Sequence, residues 1–333
     1  DHLAGWNPLR VLPSNTWNRM GGRSIYTLMK PSVVSLCFCS FIVFGTYGDA
    51  SEPLPTFAGP AMGTTYRVTL KAPIQNKSLG DIHREIDQLL QQIDLSLSTW
   101  RDDSSVSRLN HAPAHTPVQL DRHLTAVFYI AQNLHRRTEG RFDITVAPLI
   151  QWWRHIDTTH GSPSTEAHLS AAPSEIMKLV GFSNLQVTTS SDSEYPHLQK
   201  AYAAVAIDLS GIGAGYAVDQ IGNHLESLGS TAHLVELGGE VRAWGRPNPS
   251  ENWQVALRSR KTKPPEIISL HHGQALAVST SLRGKRVINP LTGRSAVVSP
   301  YATPVVVYAQ TCAEADGLAT AKVLNTVQDA TPD

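Results

Sequence analysis

Asp316 and Thr320 stand four residues apart in Ala313–Ala321, which reads AEADGLATA. On a helix this spacing puts the carboxylate and the hydroxyl on one face. Well upstream, Ala206–Asp219 reads AIDLSGIGAGYAVD, an apolar run ending in an acid, then a Ser/Gly turn, then a helix start. Glycines at 211, 213 and 215 let backbone approach a ligand closely. Magnesium takes carboxylate, hydroxyl and carbonyl oxygens, with phosphate and water completing its shell. Together the two segments suit a magnesium-bound pyrophosphate.

Neither segment is decisive alone. Asp316 and Thr320 also suit an ordinary capped helix start. The glycine turn has G-x-G-x-G where a dinucleotide fingerprint has G-x-G-x-x-G, and Asp208 ahead of it would oppose a pyrophosphate. A plain strand–turn–helix junction explains the turn without any ligand.

The elements that must position these residues follow from periodicity. Phe57–Leu70 is expected to enter a strand pair, with Tyr66, Val68 and Leu70 alternating. Asp81–Leu95 is an amphipathic helix carrying Ile82, Ile86, Leu89, Leu90 and Ile93. Ser96–Asn110 reads as a polar loop with Trp100 exposed, and Leu124–Arg136 as a second helix. Asp157–Ala172, rich in Ser, Thr, His and Pro, reads as an insertion loop. Pro173–Val180 is expected to be a short helix, and Leu185–Thr189 and Ala203–Leu209 to be strands. Gly215–Leu228 follows as a helix. Strands at His233–Glu236, Trp253–Leu257, Ala275–Thr280 and Thr303–Tyr308 precede a last helix, Ala315–Val323. Strands and helices mix without regular βαβ alternation, so the fold class is α+β.

Read in order, several segments resemble the ApbE-type FAD:protein FMN transferases. The glycine turn resembles that family's DLS-x-I-x-x-GYAVD motif, and Ala315–Thr320 its A-D-x-L-A-T metal segment. Ala61–Tyr66 resembles its M-G-T opening. Ser98–Arg101 with Asp103 and Ser107–Asn110 resembles its S-T-[YW] loop. Gly140–Leu149 resembles G-x-F-D-[IV]-T-V-x-P-L, and Leu237–Val241 the GGE segment. The likeness runs from about Phe57 to Val323. It implies an ApbE-like fold of mixed and antiparallel sheets with packed helices, and FAD as substrate with Mg2+. It implies metal coordination by the Gly211 carbonyl, Asp316 and Thr320, the latter two acting in catalysis. It implies cofactor contacts by Met62, Trp100, Arg141, Phe142, Asp143, Asp208 and the residue at Ala214. The implied reaction moves FMN to a Thr or Ser of an acceptor protein, with a membrane redox-complex subunit as one candidate, and releases AMP.

The chain departs from the family where chemistry is expected. The family carries S-T-S-G-x-Y, a spacer, then H-I-I-D-P-R-T-G. Here Ser279–Gly293 has almost no spacer, with Arg286 at the His position, Asn289 at the Asp and Leu291 at the Arg. Ala214 stands where Lys or Glu is usual. A neutral His can take a hydroxyl proton, whereas a guanidinium cannot. Arg286 is therefore expected to hold phosphate charge, and His271-His272 is the nearest pair in sequence that could replace the base. FAD binding without transfer, and Mg-dependent FAD hydrolysis to FMN and AMP, are the competing activities.

Composition bounds the rest. Of 333 residues, 41% are hydrophobic and 17% charged, with 28 basic and 28 acidic side chains. That is globular composition with no electrostatic case for nucleic acid. Met29-Lys30, the apolar run Val33–Gly45 and the small-x-small site Gly48–Ala50 form a secretory leader pattern. The apolar run is short for a membrane span. Residues 1–28 read as an upstream extension, 29–50 as a signal peptide and 51–333 as one domain bound for the periplasm. Cys37 and Cys39 fall in the leader outside a convincing lipobox, which leaves Cys312 as the one cysteine of the mature domain. Cleavage after Ala50 is expected, so N-terminal sequencing of native protein should start at Ser51. A cytoplasmic product retaining residues 29–50 would contradict export.

Overall fold

The computed structural model describes residues 42–43, 53–160, 171–257, 265–279, 286–297 and 304–328. The order of elements is β1 (Ile42–Val43), β2 (Thr56–Ala61), β3 (Thr64–Leu70), α1 (Leu79–Leu97), α2 (Ser105–His111), β4 (Val118–Gln119) and α3 (Arg122–Arg137). Then come α4 (Ala147–His160), α5 (Ser174–Met177), β5 (Leu185–Thr188), β6 (His197–Lys200) and α6 (Gly213–Ser227). The chain continues with β7 (His233–Leu237), β8 (Glu240–Trp244), β9 (Trp253–Leu257), β10 (Glu266–Leu270) and β11 (Ala275–Ser279). It closes with β12 (Arg286–Ile288), β13 (Ser295–Val297), β14 (Val305–Ala309) and α7 (Cys312–Gln328).

The centre is a six-stranded antiparallel sheet in the order β14-β11-β8-β7-β3-β2. Its strands alternate between two cores, as the period-2 geometry of a pleated sheet demands. Val235, Leu237, Trp244, Ala275 and Ala277 join the core beneath the helices. Leu234, Val241, Ala243, Leu276 and Val278 face the opposite way, against Val255, Leu257 and Ile268 of the small β1-β9-β10 sheet. Helices α6 and α7 pack on each other and on the sheet, α6 against β7 and β8, α7 against β8, β11 and β14.

Local chemistry sets the elements. The β2–β3 hairpin turns on Met62-Gly63, with φ of 47° and 76°; two residues at positive φ suit the twist of a two-residue hairpin. Ser78, ahead of the predicted start at Asp81, begins α1. Its hydroxyl accepts from Asp81 N at 3.1 Å while Asp81 Oδ2 accepts from Ser78 N at 3.3 Å, a reciprocal capping box.

Three expectations change. The polar stretch after α1 contains helix α2, capped by Ser104, whose side chain accepts from Ser107 N. Helix α4 runs through Trp152 and Trp153 to His160, into the stretch expected to be a loop; 161–170 lie outside the described residues. Residues 205–209 form no strand and join no sheet. There the Asn110 side chain acts as the missing neighbour: its Nδ2 donates to Ile207 O at 2.9 Å and its Oδ1 accepts from Ile207 N at 2.8 Å. Backbone groups satisfied in this way have no need of a ladder.

Close packing of α6 on the sheet depends on Gly222. A Cβ there would lie 2.0 Å from Trp244 Cζ2, so Gly222→Ala forces a shift of a buried indole. The expected loss is about 1–3 kcal/mol, read as a lower urea midpoint with an unchanged slope.

Candidate functional site

Helices α6 and α7 exchange carboxylates at their N-termini. Asp219 of α6 accepts from Cys312 N and Ala313 N, both at 2.9 Å, in the first turn of α7. Asp316 of α7 accepts through Oδ2 from Gly215 N at 3.1 Å, in the first turn of α6. Each carboxylate meets amides that a helix leaves without internal partners. Arg242 of β8 donates to Asp219 at 2.6 Å and lies over the Trp244 ring at 4.6 Å. The contact requires Gly215, since a Cβ there would stand 2.3 Å from the Cys312 carbonyl oxygen.

This exchange brings the glycine turn against α7. A Cβ on Gly211 would lie 2.9 Å from Thr320 Oγ1, so Gly211 backbone and the Thr320 hydroxyl are neighbours. Thr320 is exposed, whereas Asp316 one turn away is buried. Burial pushes the Asp316 carboxyl up to about 7; the Gly215 amide opposes this and Asp219 adds repulsion. Glu240 on β8 is pushed well above the usual carboxylate range by burial and then by Asp316, although Gly239 N donates to its Oε2 at 2.9 Å. A carboxyl that burial keeps protonated would gain from a cation beside it. With the Thr320 hydroxyl and Gly211 backbone beside it, the donors are the hard oxygens magnesium takes. Among the described residues no group of three or more acidic, His or Cys side chains is placed to hold a metal ion, so hydroxyl, backbone and ligand oxygens would have to complete such a site.

The other expected residues surround this point unequally. Met62, at the hairpin turn, faces the start of α6, its Cε 3.2 Å from a Cβ position on Gly213, next to Ala214. Asp208 is anchored by its backbone N, 2.7 Å from Ile144 O, and its Oδ1 accepts from Ser210 N at 2.9 Å and from the Ser210 hydroxyl. Phe142 is buried, with Cε2 3.5 Å from a Cβ position on Gly317 of α7. Asp143 is buried and accepts from Thr145 N at 2.8 Å and Thr145 Oγ1 at 2.6 Å, which shapes the turn into α4. Burial raises its carboxyl despite those bonds. Arg141 donates to Thr138 O and Glu139.

Trp100 and Arg286 are drawn to α4. Trp100 is 84% exposed, with the Arg154 guanidinium 5.7 Å from its ring centre. Arg286 begins β12, which packs against α7, but its guanidinium turns to α4. It forms a bidentate pair with Asp157, with Nε 2.8 Å from Oδ2, donates to Ser295 Oγ at 2.7 Å and lies 4.9 Å from the Trp153 ring centre. Asp157 thus takes the charge that sequence assigned to a phosphate. The segment 280–285 lies outside the described residues. The His271-His272 pair sits beyond the Ala275 end of β11, whereas Gly239 meets Val278 at the other end. His272 Nδ1 accepts there from Gly245 N at 2.8 Å.

Sequence reading gave no role to Asp219, the last letter of GYAVD, or to Glu240, the last of GGE. Both lay inside quoted motifs, and an acid closing an otherwise apolar segment was the available signal.

The chain belongs to the ApbE family, whose model matches residues 62–331. It is 30% identical over 281 residues to the FAD:protein FMN transferase of Salmonella typhimurium, covering 80% of this chain and 77% of that protein. The Haemophilus influenzae protein of the same description is 29% identical over 280 residues, covering 80% and 79%. The apo crystal structure of Pseudomonas stutzeri flavinyl transferase ApbE superposes with a TM-score of 0.66 at 29% identity, over 81% of this chain and 83% of that one. The α+β architecture of antiparallel sheets and packed helices is that of the family.

The raised Asp316 carboxyl gives metal-free protein a defined pH response. Folded Asp316 keeps its proton up to about 7, against an ordinary value of 3.8. Its contribution to stability is then complete below the ordinary value and is lost as pH rises through about 7. Urea midpoints in EDTA should fall between pH 4 and 8, and Asp316→Asn should flatten that decline. An equally steep decline in the variant would refute the assignment.

Proposed function

We propose that the protein moves FMN from FAD to the hydroxyl of a Thr or Ser on another exported protein, releasing AMP. The observation that carries this reading is the meeting of Gly211 backbone, the Thr320 hydroxyl and the buried Asp316 carboxyl, in a chain whose relatives are named for this transfer. Mg2+ bound there would supply charge to neutralise the pyrophosphate as it breaks. Asp316, Thr320 and Gly211 backbone would hold it, and the glycine turn would let the pyrophosphate approach α6. Met62 offers a soft, adaptable surface to a flavin ring. Asp208, fixed by its Ile144 contact, edges the same cradle.

Arg286 takes no proton in this scheme, because a guanidinium stays charged and this one is held by Asp157. That tie also favours a second reading, in which FAD binds but is not transferred, or water replaces the protein hydroxyl and frees FMN. Export is part of the proposal. Removing the leader takes from the described fold only β1, which pairs through Ile42 and Val43 with the edge of β9.

Two measurements test the function. Incubation with FAD, MgCl2 and Thr/Ser peptides, followed by mass spectrometry, should give covalent FMN on peptide with equimolar AMP. Free FMN plus AMP would indicate hydrolysis, and bound FAD without products would indicate binding alone. Asp316→Ala should abolish turnover and remove the magnesium dependence of FAD binding in calorimetric titrations, while unchanged titrations would sink the metal site.

A further inference from the structure

We propose that His135, held by Asp143, is the group that takes the proton from the acceptor hydroxyl. This rests on the transferase reading above and supplies the base that Arg286 cannot be.

His135 lies in the last turn of α3. Its Nδ1 is 3.1 Å from the Phe142 carbonyl oxygen and 3.3 Å from Asp143 Oδ2. A carbonyl only accepts, so the proton sits on Nδ1 and Nε2 carries the lone pair. The Asp143 carboxylate beside Nδ1–H fixes the ring orientation, the arrangement of an acid that orients a base. Asp143 is itself buried and fixed by Thr145. The ring packs on Phe182, with centroids 4.7 Å apart, which fixes its plane. No hydrogen bond is formed by Nε2 among the described residues, and the side chain is 26% exposed.

The pair sits beside the altered segment. A Cβ on Gly140 would lie 3.5 Å from His135 Cε1 and 2.9 Å from Leu291 Cδ2. Leu291 is the residue standing where the family has Arg, in the turn that links β12 and β13. The residue after Leu291's neighbour Gly140 leads to Phe142, which touches Gly317, between Asp316 and Thr320. Asp143 is the charged group in contact with the ring; Arg136, Arg137, Glu139 and Arg141 follow on its own helix end and in the turn beyond. Arg137 is paired with Glu314 and Arg141 with Glu139.

The step balances without a further reactant. The Thr or Ser oxygen forms a bond to the FMN phosphorus. The bridging P–O bond breaks and its electron pair leaves with AMP. The hydroxyl proton passes to Nε2 and then to solvent.

His135→Asn is the informative variant, because its amide NH2 keeps a donor near the Nδ1 position while removing the base. The assay uses FAD, MgCl2 and the Thr/Ser peptides, alongside calorimetric FAD titration and 15N spectra of the wild-type imidazole. The expected result is a kcat lower by about 10²-fold or more, with FAD affinity unchanged. The 15N spectrum at pH 8 should show the Nδ1–H tautomer. Wild-type turnover in His135→Asn, loss of FAD affinity in step with rate, or the Nε2–H tautomer would each overturn the proposal. A wild-type enzyme that transfers no FMN would instead fail the transferase reading, and His135 with it.

Discussion

The exchange of carboxylates between α6 and α7 is the constraint on which the rest of the site depends. α6 starts at Ile212 without a side-chain cap of its own, and in α7, where Thr311 Oγ1 accepts from Glu314 N at 3.3 Å, the first two amides turn to Asp219. Each end is completed by the other helix. The approach this demands is possible only over Gly215, and it fixes which residues meet. Gly211 comes to Thr320 because Gly215 is pinned to Asp316. The arrangement stores an electrostatic cost, since Asp316, Asp219 and Glu240 crowd in a dry space with Arg242 as the partner of Asp219. Breaking a buried pair of this kind typically costs about 3–5 kcal/mol, so the fold and the site share one set of bonds.

The segments that could carry chemistry were legible because their residue types are unusual together. The central sheet was legible in part, from the alternation of Tyr66, Val68 and Leu70 in the segment that became β3 and from the apolar runs that became β7, β11 and β14. What could not be read are bonds whose partners lie far along the chain. Ile207 reads as strand, but its backbone partner is the side chain of Asn110, and no periodicity encodes that. Asp219 reads as the polar end of a helix stripe, while its partners are amides of Cys312 and Ala313. Helix α4 was hidden because Ser, Thr and His dominate the sequence just past its apolar face. Arg286 was read as a phosphate ligand because a free guanidinium would be one, and Asp157 had been assigned to a loop.

The Arg286–Asp157 pair changes how the altered segment is understood. Arg286 is stacked on Trp153, and Trp153 Nε1 donates to Gly293 O at 3.1 Å. The β12–β13 unit is thereby fastened to α4 at both its first strand and its turn. Arg286 is thus an anchor for the segment that carries it.

The two helices that complete each other are separated by almost the whole sheet. Asp219 and Ala313 are 94 residues apart in sequence, and β7, β8, β11 and β14 are laid down between them. On a ribosome, or emerging from a translocation pore, α6 is made long before its cap exists. Contacts of such long range slow folding, because loop closure precedes any reward. Until α7 arrives, Asp219 and Arg242 face an open groove and the glycine turn has no Thr320 against it. A nascent chain ending before Thr311 would carry all six strands of the central sheet and the glycine turn but neither Asp316 nor Thr320, so the facing half of the site waits for the last helix.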